Sequence, residues 1–409
     1  MPFASYIKLV KSQPKLLSFG FLMAFASCPG ETYFIGVFGP AIQNDLNLDH
    51  TQWASIYMVG TLASMALLPL TGGLIDRFSL TRYTIAVSVL LTIACAFISI
   101  TLGALSLMIA IFLLRHAGQG LTYHISTTSM GRYFNANRGR ALSLASMGGT
   151  VGGSLLPLAA VTGISIIGWR STYVGAGVLS GFVILPVAIW LLRGHHHRHR
   201  IYLSQFDGET NKFFSKHRSW SKTEVLGDPR FYLLLNGFIA ANITLTAMFF
   251  HHINLADAKN WSHTWVTGNY VVYSIAAMVV ALGVGPLIDK YQAVRLAPFI
   301  LLPMFLALLV IAMTDAPMVV LPYMLLLGIN TGLVYPIMSA IWPELYGVKH
   351  IGSIKSVATP IALFGSAVGP VIMGSLIDLG LSIETVCVLF ALYCLTGVFS
   401  AYIVLIKSK

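Results

Sequence analysis

Two stretches of this sequence hold ionisable side chains inside otherwise apolar runs: 28-CPGETYF-34, with Glu31, and 112-FLLRHAGQG-120, with Arg115. A charge near the centre of a membrane-crossing helix costs at least about 2.5–3.5 kcal/mol, so each needs a use. Arg115 offers a planar fork of N–H donors that fits a carboxylate or another planar anion. Gln119 follows one turn later on the same face and adds a donor. Glu31 suits a proton carrier, because the charge beside a buried carboxyl can switch it between its two forms. A purely structural Glu31–Arg115 pair is the competing reading, but desolvation makes buried pairs poor stabilisers. Pro29-Gly30 predicts a break in the helix just before Glu31, exposing backbone groups. Asn242 and Asn330, each near mid-span, are further candidates to bind substrate, with interhelical hydrogen bonding as the alternative. His124 lies nine residues past Arg115, on roughly the opposite helical face, and reads as a packing residue. His251 and His252, at the end of a span, suit a wet, titrating entrance.

These residues must be positioned by membrane-spanning elements. Of 409 residues, 56% are hydrophobic and 10% charged, with mean hydropathy +0.78. A soluble domain carries about 25% charge, so this chain cannot cover itself with charge in water. Runs of roughly 20 apolar residues predict helices that cross about 30 Å of hydrocarbon, and the alternation of a membrane barrel is missing. Twelve spans are expected, near 16–40, 52–74, 82–103, 105–131, 141–166, 170–192, 230–253, 263–287, 294–313, 317–342, 353–376 and 384–406. The polar, basic stretch 193–229 divides them. The expected organisation is a six-helix bundle over 1–192, a cytoplasmic basic linker over 193–229 and a second six-helix bundle over 230–409.

Charge sets the orientation. Of 25 Lys and Arg, Arg170 and Lys259 fall in the expected outer loops and Arg115 within a span. The other 22 then fall on the cytoplasmic side, with both termini there, as the positive-inside bias requires. The net charge of +11 is therefore topology, and no nucleic-acid partner is expected. The first span continues to Pro40 without a polar break, which argues against a cleaved leader despite 25-FASC-28. Cys28, Cys95, Cys387 and Cys394 read as small buried hydrophobes. The tract 195-HHHRHR-200 lacks the spacing of a folded zinc site and fits a linker touching anionic lipid. No HExxH, nucleotide loop or paired-Asp cluster occurs, so no metal, no cofactor and no enzyme activity are expected.

One charged turn is written twice. The stretch 72-GGLIDRFSLTR-82 recurs as 285-GPLIDKYQAVR-295, each between the second and third spans of its half. Two such halves read as an internal duplication, one of the repeat types of secondary transporters. The chain here resembles the major facilitator superfamily, whose loop pattern Gly-x-x-x-Asp-Arg-x-Gly-Arg-Lys is met by Gly72, Asp76 and Arg77. Ser79 and Leu80-Thr81 depart from it. The fold implied is an all-α membrane protein of twelve transmembrane helices in two six-helix pseudo-repeat bundles, the major facilitator fold. In that family the turn gates the cytoplasmic side, which implies gating roles for Gly72, Asp76, Arg77, Arg138, Asp289 and Lys290. A carboxylate there can cap a helix N-terminus.

A second stretch, 133-YFNANRGRALSLASMGG-149, resembles the fifth-helix pattern of monocarboxylate-type members. Tyr133, Phe134, Arg138, Ala141, Ala145 and Gly148 match it, while Ala136, Asn137 and Ser143 depart. The run 263–287 also lacks the Asp-Arg pair usual in that branch. Small residues at 141, 145, 148, 149, 152 and 153 let two helix backbones approach closely. The function implied is alternating-access secondary transport of a small organic anion, monocarboxylate-like, coupled to protons. The alternative is a proton-driven drug or metabolite exporter, weakened because Pro157 comes late in 148-GGTVGGSLLP-157. The expected partners are an anionic small-molecule substrate, protons and the lipid bilayer. The expected setting is a monomer in a bacterial inner membrane.

Overall fold

A computed structural model describes residues 9–134, 138–194, 220–347 and 351–407. Among them every regular element is a helix. The tract 195-HHHRHR-200 and most of the expected linker lie outside the described residues.

Among the described residues, nine helical stretches are long and apolar enough to cross a membrane. One of them, Arg140–Leu191, holds two spans. These are α5 (138–167) and α6 (169–191), which meet at Gly168 with φ +79°, a left-handed conformation that a side chain would strain. The first span, α1, is interrupted and runs as Pro14–Ala26, Cys28–Gly30, Thr32–Val37 and Gly39–Leu46. With α11 (Ile351–Asp378) the spans among the described residues number twelve. The others are α2 (His50–Gly72), α3 (Leu80–Ile98), α4 (Ala104–Tyr133), α7 (Pro229–Phe250), α8 (Tyr270–Tyr291), α9 (Ala293–Met313), α10 (Val320–Tyr346) and α12 (Ile383–Lys407). Large apolar side chains such as Phe182 and Ile166 are exposed, as helices facing hydrocarbon require.

The chain divides into two compact units. One is Met1–Leu48 with Ile56–Asn211, the other Asp49–Ser55 with Lys212–Lys409. Within the first, the α5 glycines lie on α1. A Cβ at Gly148 would strike the Phe21 carbonyl, and one at Gly152 would come 3.3 Å from the Phe25 carbonyl. This is the close approach expected from the small residues of 133–149. In the second unit, Gly369 of α11 lies in the same way on the Ile243 carbonyl of α7. A second pair repeats as well, with Gly60 of α2 against α4 and Gly328 of α10 against α8. The duplication read from the charged turns thus extends to the helix pairs that glycine brings together. Small residues matter here because association inside lipid rests on backbone proximity, not on hydrophobic exclusion.

Both basic residues of the expected outer loops are neutralised nearby. Arg170 pairs with Asp45 at 2.6 Å and donates to the Ser99 and Thr101 carbonyls. Lys259 pairs with Asp315 and with Glu384, the latter at 3.0 Å. Burial works against the Lys259 charge, yet the hydrogen bonds it donates to the two carboxylates outweigh it and hold its pKa above the usual value. All four cysteines are free and buried, as expected.

Candidate functional site

The site lies in the first unit, where two irregular helix segments meet. Pro29 has no N–H to continue the helix, and α1 tightens to a short 3₁₀ turn over Cys28–Gly30. Glu31 follows in an extended conformation, φ −83° and ψ 149°, before the helix restarts at Thr32. Opposite it, α4 widens into a π-helix over Arg115–Thr122, a geometry frequent at functional sites. Thr122 Oγ1 donates to the Ala117 carbonyl at 2.6 Å, supplying a partner to the widened turn. Backbone packs directly on backbone here. A Cβ on Gly118 would sit 2.7 Å from Gly30 Cα and 2.9 Å from the Ser27 carbonyl oxygen.

That contact places the side chains. Arg115 Nη1 donates to the Gly30 carbonyl at 2.9 Å and to Thr32 Oγ1 at 3.3 Å. Its guanidinium lies 5.1 Å from the centre of the Tyr57 ring, and Tyr57 Oη and Thr32 Oγ1 share a 2.6 Å hydrogen bond. Gln119 Nε2 donates to Glu31 Oε2 at 3.0 Å. Glu31 and Arg115 meet in one cluster but do not form an ion pair. Among the described residues no carboxylate lies within 4 Å of the Arg115 nitrogens. Arg115 is 2% exposed, and its Nε has no acceptor. The break in α1 explains this arrangement. It frees the Gly30 carbonyl, which takes the guanidinium, while the extended Glu31 backbone turns the carboxylate to Gln119.

Sequence reasoning overlooked His116. It is buried beside Arg115, stacked on Phe112, with Nε2 3.0 Å from Thr71 Oγ1 and Nδ1 3.4 Å from Ser64 Oγ. Thr71 donates its own proton to the Leu67 carbonyl, so His116 Nε2–H is the donor to Thr71. The available signal was a second ionisable residue in the same apolar run. His124 lies beside α2, where a Cβ on Gly72 would meet its ring at 3.6 Å, and Thr128 bonds it. This is the packing place expected for it.

The remaining candidates each have local partners. Asn242 donates to the Phe238 carbonyl of its own helix at 2.8 Å. Asn330 donates at 2.8 Å to the Ile300 carbonyl, just beyond the 3₁₀ turn Ala297–Phe299 that interrupts α9. Both belong to the second unit. His251 and His252 are fully buried rather than wet. His251 Nε2 meets the Pro370 carbonyl at 2.9 Å, and His252 Nδ1 meets Tyr270 Oη at 3.0 Å. Of the gating residues, Gly72 ends α2, Arg77 is exposed after the 3₁₀ turn Gly73–Asp76, and Lys290 lies 5.0 Å over the Tyr291 ring. The side chains of Asp76, Arg138 and Asp289 lie outside the described residues. Another carboxylate does cap a helix near the second charged turn. Glu344 of α10 accepts from the Ala293 and Val294 amides at 2.7 and 3.2 Å, at the start of α9.

Comparison with known proteins follows the same lines. A family model described as Major Facilitator Superfamily matches residues 20–370. Among solved structures, a mutant of the nucleoside transporter NupG aligns with TM-score 0.72 and 13% identity, over 95% of this chain and 99% of its own. A bacterial homolog of the human lysosomal transporter Spinster, inward-facing and occupied, aligns with TM-score 0.69 and 14% identity, over 98% of this chain and 97% of its own. No curated protein matches the chain by sequence.

Proposed function

The chain belongs to the major facilitator superfamily, and from that we propose that it carries a small, monocarboxylate-like organic anion across the membrane, with Glu31 as its proton carrier. A secondary transporter, not an enzyme, is what the family and the fold support. The observation that carries the finer reading is Arg115, a buried guanidinium with an unused Nε–H and, among the described residues, no carboxylate within 4 Å. Three protein groups hold it in place, so the fork is preorganised for an anion at little entropic cost.

Charge balance then couples the proton. With Glu31 ionised, the cluster holds one negative and one positive charge. An anion bound at Arg115 adds a second negative charge in a medium that solvates it poorly. A proton on Glu31 restores neutrality, so anion and proton travel together. Gln119 registers the change, because its amide N–H now donates to Glu31 Oε2. A protonated Glu31 gains an O–H donor, which the Gln119 carbonyl can accept, while its C=O oxygen still accepts.

Two substitutions test this in purified, reconstituted protein. Arg115→Lys keeps the charge and loses the fork, so carboxylate affinity should fall about tenfold or more. Glu31→Gln fixes the neutral form, so uphill uptake driven by a pH gradient should fail while exchange at equal concentrations continues. Unchanged carboxylate affinity in Arg115→Lys would remove the anion site. A Glu31→Gln protein that still accumulates substrate would remove Glu31 as the carrier.

A further inference from the structure

The first unit holds a cavity that anion transport does not use. Where α1 breaks, Gly30 packs on the α4 backbone, while its neighbour Pro29 borders a space of about 250 Å³ bounded by α1, α5 and α6. Close-packed interiors hold few voids larger than a water molecule, so this one needs a cause. Small residues supply it, because Ala159 and Ala160 of α5 and Gly175 and Ala176 of α6 line the space together with Pro29. The lining is almost entirely apolar. Its two hydroxyls are Ser180 and Thr172, and Thr172 gives its proton to the Gly168 carbonyl at 2.8 Å. A buried water needs about two to four polar partners, whereas an apolar cavity of about 150 Å³ stays dry and admits benzene. The larger space here therefore suits an apolar guest.

Shape and setting narrow the guest. The lining runs from Leu156 to Ile167 along α5 and from Thr172 to Ile184 along α6, about 17 Å of helix at roughly 1.5 Å per residue. Spread over that length, 250 Å³ leaves a slot roughly 4 Å across, close to the separation of about 3.5–4.0 Å between carbons in contact. The slot runs with two membrane-crossing helices, the direction in which acyl chains lie. Its rim reaches the hydrocarbon-facing surface. Ile167 at the rim is 58% exposed, Ala159 and Gly175 are exposed, and Val174, Val178 and Phe182 continue the exposed apolar face of α6. The slot is thus continuous with the surface that meets lipid. Its inner wall is buried, with Phe34, Ala160 and Ile184 at 3%, 2% and 5% exposure.

We propose that the slot binds one acyl chain of a bilayer lipid, drawn in sideways from the surrounding hydrocarbon. Among the described residues no charged side chain lines it, so it takes a stretch of chain while the headgroup stays at the membrane surface. A chain in the slot gives every lining carbon the dispersion partners that a void denies it. It also rests against Pro29, so the break in α1 is held by the α4 backbone at Gly30 and by lipid at Pro29. A slot this narrow admits a single chain, which excludes a second copy of the protein as its occupant. Occupancy of the slot does not depend on what Arg115 binds.

Photolabelling of the full-length protein reads the occupant directly. The protein is reconstituted in phosphatidylcholine vesicles containing a phosphatidylcholine with a diazirine midway along one acyl chain. After illumination, adducts are mapped by peptide mass spectrometry. They should appear on Phe34, Ala160 and Ile184, which surface lipid cannot reach, and not on the likewise buried Ala307 and Leu308 of α9. Ala159→Phe and Gly175→Phe each put a ring at the rim, and a Cβ at Gly175 meets nothing within 4 Å. Labelling of the three buried residues should be lost in these variants and kept in Gly283→Phe of α8, another position with nothing within 4 Å. A wild type without adducts on the three residues overturns the assignment to lipid. So does equal labelling of Ala307 and Leu308, or full labelling in both rim variants. A soluble apolar diazirine that labels the three residues where the lipid probe does not would overturn it too, in favour of a small apolar molecule.

Discussion

Gly118→Ala probes the contact on which the candidate site rests. The added Cβ would lie 2.7 Å from Gly30 Cα and 2.8 Å from Gly30 N, both backbone atoms that no side-chain rotation can move aside. Ordinary contact begins at 3.4 Å, so the two segments must separate by about 0.7 Å. That separation lengthens the Arg115–Gly30 bond from 2.9 Å to about 3.6 Å and the Gln119–Glu31 bond from 3.0 Å to about 3.7 Å, beyond useful hydrogen-bond range. Overpacking costs about 1–3 kcal/mol and a weakened bond to a charged group about 1.5–3 kcal/mol, so roughly 2.5–6 kcal/mol is at stake. The control is Gly131→Ala in the same helix, where a Cβ meets nothing within 4 Å. Alanine is the better helix former, so that variant should equal or exceed the wild type. Thermal unfolding of the purified proteins should separate the two variants by on the order of 10 °C, with carboxylate binding lost only in Gly118→Ala. If Gly118→Ala melts and binds like Gly131→Ala, the Gly30–Gly118 contact does not position Glu31 and Arg115.

Two further substitutions address the second unit. Asp228 caps α7 and binds Arg230 through Nε and Nη2, each at 2.9 Å, with Tyr346 Oη at 3.2 Å. Burial pushes its carboxyl pKa up, but the Arg230 bonds outweigh that and leave it below the usual value. A depressed carboxyl stabilises above its unfolded pKa of about 3.9 and loses that contribution as pH falls through the folded value. Asp228→Asn should therefore cost about 1–3 kcal/mol from pH 5 to 8 and progressively less below pH ~4 in chemical unfolding. Asn330→Leu should destabilise by a similar ~1–3 kcal/mol, because the Ile300 carbonyl loses its donor, and should leave substrate affinity unchanged. An altered affinity in calorimetry would return Asn330 to the substrate site.

The sequence alone determined the class of molecule, the number of spans and their duplication. Hydropathy, the placement of Lys and Arg, and the repeated charged turn are properties of runs and intervals, and these are visible in one dimension. The break at Pro29-Gly30 was legible for the same reason, since a residue without an N–H acts on its own helix. The close packing of α5 followed from the spacing of its small residues. What each polar group does with its partners was decided only by the tertiary structure. Gly30 and Arg115 stand 85 positions apart, and nothing in either segment specifies that a freed carbonyl, not Glu31, takes the guanidinium. The π-helix of α4 was also invisible. Its register is set by fitting Gly118 against Gly30, and Arg115 and Gln119 point where that register aims them. His251 and His252 read as wet entrance residues because they stand at the end of a span. The structure buries them because Pro370 and Tyr270, distant in the chain, supply their hydrogen bonds. Pattern dictates where a helix runs; the direction of a hydrogen bond depends on atoms that the chain brings together only by folding.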